Sequence, residues 1–149
     1  MTRLRGSLAY LLSRAERGVN KELGAALAAG GITVEQWRIL QALADGRGHC
    51  MGDLARAALM PHPTLTKAVD RLVDRSLVYR GQDPDDRRKV AVFLADRARD
   101  MLARLEGELA EHQRRVVAAF GEERAAHLMR ELEALASALH EEPQTKPQP

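Results

Sequence analysis

The chain has 149 residues, a net charge of +2, 45% apolar and 30% charged residues, which allows one ordinary domain or two small subdomains and excludes a large multidomain enzyme. Ala, Leu, Arg and Glu dominate, a balance that favours helix in a folded chain. Aromatics are only 3% (Tyr10, Trp37, Tyr79, Phe93 and Phe120), which argues against a stacking platform for single strands or RNA and leaves duplex DNA open. The sequence pI near 9.0 permits a nucleic-acid partner without demanding one.

The start, Met1 to Ser13, has basic residues and a short apolar segment, but its apolar spacing continues through Arg14, Glu16 and Arg17 and reads as helix rather than signal. The longest uncharged stretch, Leu23 to Val34, contains three glycines and is too short to span a bilayer. Cys50 is the single cysteine, so no intramolecular disulfide forms, and a reducing cytoplasm with no membrane partner is the expected setting.

In chain order, Leu4, Leu8, Leu11, Ala15, Val19 and Leu23 recur every three or four residues, the mark of one long amphipathic helix ending at Gly30-Gly31. Thr33 then caps a second helix bearing Val34, Trp37, Leu40 and Leu43, which Asp45-Gly46-Arg47-Gly48 breaks. A short third helix spans roughly Gly52 to Ala58. Pro61 and Pro63 interrupt, and Pro63 suits the first turn of a fourth helix reaching about Ser76.

The period then changes. Leu77 to Gln82 and Arg87 to Leu94 read as two strands of a hairpin, joined by Asp83-Pro84-Asp85-Asp86 with its turn chemistry. Helical spacing returns after Asp96, expected to cap that helix, with Ala98, Leu102, Leu105, Leu109, His112 and Val116. It resumes past Phe120-Gly121 with Leu128, Leu132, Leu135 and Leu139. The tail from Glu141 to Pro149 holds three prolines and is expected to be disordered.

Chemistry concentrates between Asp53 and Leu72. Where two helices of a helix-turn-helix cross, a small residue is required. Ala55 provides it, flanked by Leu54, Ala58, Met60, Leu65 and Ala68, with Leu59 in the turn position that Gly often occupies. If Leu65, Ala68, Val69 and Leu72 face inward, Thr64, Lys67 and Arg71 share the outward face, with His62, Pro63 and Thr66 near the helix start. Such side chains read base edges or grip phosphates in a major groove. An isolated helix pair of this kind is more often plain core packing. Followed by an Arg-rich hairpin, it has the element order of a winged helix, whose wing inserts a cation into the minor groove.

The run Asp83-Pro84-Asp85-Asp86-Arg87-Arg88-Lys89-Val90-Ala91-Val92-Phe93-Leu94 resembles the wing of the MarR family of bacterial winged-helix regulators. Thr33 to Leu40 is similar to that family's second helix and Thr64 to Arg75 to its recognition helix, so the resemblance covers nearly the whole chain except the tail. The fold it implies is mainly α with a small β-hairpin wing: a first dimerisation helix in 1–30, a winged helix-turn-helix in 31–95, and dimerisation helices in 96–140. It implies a homodimer on a palindromic operator, most often repressing a nearby gene. The family's wing motif falls on Asp86 and Arg88, making Arg88 the minor-groove residue and Asp86 its positioning partner, with Arg87 beside them. Leu94-Ala95 departs from the family's usual Leu-Thr at the start of the next helix.

Family members often respond to small aromatic or anionic molecules, and here Tyr10, Arg14, Trp37 and Arg38 have the stacking and anion-binding chemistry for such an effector. Each also has a plainer reading, Trp37 as core packing and Arg14 as an ion pair. Cys50 reads first as a small buried residue and second as a thiol near a helix N-terminus. His49, Cys50, His62, His112, His127 and His140 lack close metal-ligand spacing, so neither metal nor cofactor is expected. No Gly-rich phosphate loop or nucleophile elbow supports an enzyme. The rival to a DNA-binding regulator is a winged helix used only for protein assembly.

Overall fold

Ser7 interrupts the apolar repeat that the sequence carries from Leu4 to Leu23. In the computed structural model, which describes residues 2–140, the expected single first helix is two: α1 (Thr2–Arg5) and α2 (Leu8–Leu27). The Ser7 hydroxyl accepts the Tyr10 N–H at 3.5 Å, the N-cap bond that starts a new helix. A 3-10 turn, Ala28–Gly30, closes α2, and Gly31 turns the chain away at φ +66°. The expectation of disorder for Glu141 to Pro149 lies outside the described residues.

Thr33 begins α3 (Val34–Ala42) with a complete capping box, its hydroxyl accepting from Gln36 N–H and Gln36 Oε1 accepting from Thr33 N–H. After the Asp45-Gly46 break comes a two-residue strand, β1 (His49–Cys50), absent from the sequence reading, and then α4 (Met51–Ala58) and α5 (His62–Asp74). The hairpin is β2 (Val78–Gln82) and β3 (Val90–Leu94). The second strand was expected from Arg87; instead Arg87 to Lys89 belong to the turn. The sheet has three antiparallel strands in the order β1-β3-β2, with His49 opposite Val92 and Tyr79 opposite Phe93.

The core is aliphatic. Leu27, Ile39, Leu40, Leu43, Leu54, Leu65, Val69, Leu72, Leu77 and Val92 are fully buried, drawn from α2, α3, α4, α5 and the sheet. Each buried Leu or Ile contributes about 1.5–3 kcal/mol of transfer free energy. Ala55 is half-buried and Ala58 fully buried where α4 meets α5, so the backbones approach closely; Ala68, expected to face inward, is only half-buried. Leu59 makes the turn in the left-handed region at φ 58°, with its side chain 75% exposed. Past the sheet run α6 (Asp96–Phe120) and α7 (Glu122–Leu139). Asp96, expected to cap α6, lies inside its first turn beside Arg99, while the Ala95 carbonyl accepts the Ala98 and Arg99 N–H groups. The chain divides into two compact units at His112 and Gln113.

Candidate nucleic-acid interface

The buried stripe of α5, Leu65, Val69 and Leu72, fixes what the helix shows to solvent. His62, Pro63, Thr64, Thr66, Lys67, Asp70 and Arg71 are all exposed. Pro61 is the N-cap and Pro63 lies in the first turn, where its missing N–H has no intrahelical partner to lose. The Thr66 hydroxyl donates to the His62 carbonyl at 3.0 Å, which orients its oxygen lone pairs outward from the helix backbone. Asp70 pairs with Arg80 of β2 at 2.5 Å, a bridge between recognition helix and wing that no local sequence signal announces. Lys67 and Arg71 form no ion pair with other described residues, so their charges remain available.

The wing is built by its aspartates. Asp83 Oδ1 accepts the Asp85 N–H at 2.9 Å and Asp86 Oδ1 accepts the Arg88 N–H at 3.0 Å, two Asx turns in succession. Asp83 N–H to Lys89 O closes the hairpin at 3.0 Å. Arg88 Nε also lies 3.7 Å from Asp86 Oδ1, and its side chain is 95% exposed. Arg87 and Lys89 are exposed beside it. At the base of the sheet, Phe93 stacks on Tyr79 with ring centroids 5.2 Å apart. The same ring fills the space where Gly48 has no side chain, since a Cβ there would lie 2.4 Å from it.

Within residues 1–112, a cleft of about 600 Å³ lies between α3 and α6, lined among others by Trp37, Gln41, Leu94, Arg99, Leu102 and Glu106. Of the four residues selected from sequence for an effector, Trp37 lines it; Tyr10, Arg14 and Arg38 do not. Arg38 instead lies 3.8 Å from Glu16 of α2. Trp37 is half-buried against the core, yet its Nε1 is enclosed with no hydrogen-bond partner among the described residues. Gln41, Arg99 and Glu106 were missed because polar residues on a helix read as a solvated face until a facing helix encloses them.

Cys50, first expected to be buried, is half-buried at the N-cap of α4. The neighbouring Cys50 thiol first, and the Arg56 guanidinium second, hold Asp53 below the usual carboxylate range. Among the described residues, no three His, Cys, Asp or Glu side chains gather as metal ligands, and no helix is long and apolar enough to cross a membrane.

A helix whose exposed face carries hydroxyl, amine and guanidinium groups, seated on a second helix and flanked by an arginine-tipped hairpin, defines a winged helix-turn-helix DNA-binding protein. Residues 30–89 match the MarR family. The homoprotocatechuate degradative operon repressor of Escherichia coli is 30% identical over 114 residues, spanning 74% of this chain and 77% of that protein. The chain belongs to the MarR family, and it is a DNA-binding transcriptional regulator rather than an enzyme. Among solved structures, the transcriptional repressor CouR bound to a 23-mer DNA duplex aligns with a TM-score of 0.81 at 28% identity, covering 89% of this chain and 94% of that one. NadR in complex with 4-hydroxyphenylacetate aligns at 0.74 and 28% identity, covering 87% and 92%.

Proposed function

We propose that the protein is a homodimeric, ligand-responsive repressor acting in the cytoplasm, whose two recognition helices read a palindromic operator. Residues 31–95 bind DNA in this reading, and 1–30 with 96–140 hold the dimer. The observation that carries it is the pairing of an exposed α5 face, with Thr64, Lys67 and Arg71, and the solvent-extended Arg88 of the wing. His62, Pro63 and Thr66 support the helix start against the backbone, and Arg87 adds charge to the wing. Dimerisation is supported by the exposed apolar side chains Leu4, Leu8, Leu11, Leu12 and Val19 of the first two helices and, separately, by Leu128, Met129, Leu132 and Leu139 of α7. Two copies cover what one leaves in water.

The effector is a small aromatic acid. A relative bound to 4-hydroxyphenylacetate and another that represses homoprotocatechuate degradation support this class. So does the cleft lined by Trp37, Gln41 and Arg99, where an aromatic side chain stands beside an amide and a guanidinium that suit an aromatic carboxylate. Tyr10, Arg14 and Arg38 enter the proposal as contacts made when a second copy completes the site.

Selection of bound fragments from the organism's genomic DNA tests the reading. Enrichment of a site with two inverted half-sites about one helical turn apart is the expected result. Failure to enrich any duplex over a range of salt overturns it in favour of a protein-assembly module.

A further inference from the structure

The recognition helix ends in a rigid cap. Leu77 N–H bonds to Leu72 O and Ser76 N–H to Val73 O, both at 2.9 Å, with Ser76 in the left-handed region at φ 57°. That is a Schellman motif, and it fixes the backbone of Arg75, the last residue before the turn. From there the Arg75 side chain crosses 44 residues of sequence to donate Nη1–H to the Gly31 carbonyl at 2.7 Å, while Nη2 lies 3.4 Å from the Gly30 carbonyl.

Those carbonyls belong to the C-terminal end of the α2 helix and its 3-10 turn. The last carbonyls of a helix lack intrahelical partners and carry the negative end of its dipole, so a guanidinium is the best-matched donor. Two acceptors on one planar fork also define an orientation, which a point charge does not. The same junction is pressed by α6, since a Cβ on Gly30 would meet Leu105 Cδ1 at 2.8 Å. The end of α5 is therefore tied where the 3-10 turn after α2 already meets Leu105 of α6.

We infer that Arg75 is a positioning residue, which locks the recognition helix to the end of α2 and thereby sets the separation of the two half-sites that the dimer accepts. The inference rests on the dimeric-operator reading above. In it α2 belongs to the dimer, so the Arg75 link adds an oriented tie, beside the shared aliphatic core, between the reading element and the element that fixes the partner. A plain stabilising cap would instead weaken folding and all DNA binding together.

The test uses the full-length protein and the duplex recovered by genomic selection, together with versions in which one base pair is inserted or removed between half-sites, and a duplex holding a single half-site. One base pair displaces a half-site by about 3.4 Å and rotates it. The wild type should prefer the parent spacing by roughly tenfold or more, the size of a single-position penalty. Arg75→Gln should reduce that preference to within about threefold while leaving single half-site affinity within about twofold. Arg75→Lys, with one ammonium for one carbonyl, should fall between them.

An Arg75→Gln protein that keeps the wild-type spacing preference overturns the inference. So does one that loses parent and single-half-site affinity by the same factor. If Arg75→Gln does not fold, Arg75→Lys decides: an intermediate preference supports the positioning role, and an unchanged preference at reduced thermal stability overturns it. A wild type indifferent to spacing overturns the dimeric-operator reading, and this inference with it.

Discussion

Asp86 holds Arg88 at two points, accepting its backbone N–H at 3.0 Å and lying 3.7 Å from its Nε, while the guanidinium stays almost wholly in solvent. A side chain whose backbone is fixed and whose charge is unburied loses little freedom on entering a narrow groove, where the negative potential is enhanced. As an intramolecular ion pair the same contact is worth roughly 0–1 kcal/mol. Arg88→Ala should therefore lower operator affinity clearly and reduce the slope of log affinity against log salt by about 0.9, with the thermal midpoint nearly unchanged. Equal affinity and equal slope in a salt titration would leave the wing without a role on DNA.

On α5, reading separates from gripping. Replacing Lys67 or Thr64 by Ala should relax preference at particular operator positions, costing on the order of 1–3 kcal/mol where a base contact is lost. Arg71→Ala should weaken operator and random duplex more evenly. Competition binding with single-base operator variants measures the difference, and a uniform loss for all three substitutions would contradict the assigned face.

The turn between α4 and α5 stores strain that sequence alone hinted at. Leu59 adopts φ 58° with its side chain in solvent, and a left-handed residue with a Cβ costs about 1–2 kcal/mol relative to glycine. Leu59→Gly should raise stability by roughly 1 kcal/mol in urea denaturation at fixed protein concentration. A destabilised variant would show that the exposed Leu59 side chain holds the turn by contacts of its own.

Asp45, at the end of α3, accepts the Arg47 N–H at 2.9 Å and lies 2.8 Å from His49 Nε2. The Arg47 amide first, and the His49 ring after it, hold its carboxyl below the ordinary range against the opposing effect of burial. Because the folded-state value is depressed, the stabilisation is complete above the ordinary carboxylate pKa of about 3.9 and is lost as pH falls through the folded value. Asp45→Asn should thus cost at most about 1 kcal/mol at pH 5–6, since the site is exposed, and the gap from wild type should close below about pH 4. Chemical denaturation of both proteins across that range checks it; a gap that widens in acid would reverse the sign.

At Gly48, the ring of Phe93 occupies the position a side chain would need. Gly48→Ala should cost about 1–3 kcal/mol by overpacking and tilt the hairpin, seen as lost near-ultraviolet signal from the Tyr79–Phe93 stack. An unperturbed variant would mean that the ring shifts freely.

Local rules carry far along this chain. The period of three to four in α3, α5 and α6 reflects helices with one buried stripe, so the exposed Thr64, Lys67 and Arg71 follow from the buried Leu65, Val69 and Leu72. Thr33 announces itself as the cap of α3 by residue type and position, and the structure adds Gln36 as the other half of its capping box. The same rules misjudge places where a single side chain outweighs periodicity: Ser7 splits the first helix by capping a new one, and two Asx turns draw Arg87 to Lys89 out of β3. What only the tertiary structure decides are contacts between residues far apart in sequence. The two-residue β1 exists because β3 offers it a ladder, since so short a strand has no period of its own. Arg80 finds Asp70, and Arg75 finds Gly31, because the packing of α5 against the sheet and α2 brings a long guanidinium within reach of an unsatisfied acceptor. Charge type and spacing along the chain hold no record of that distance, which is set by the core.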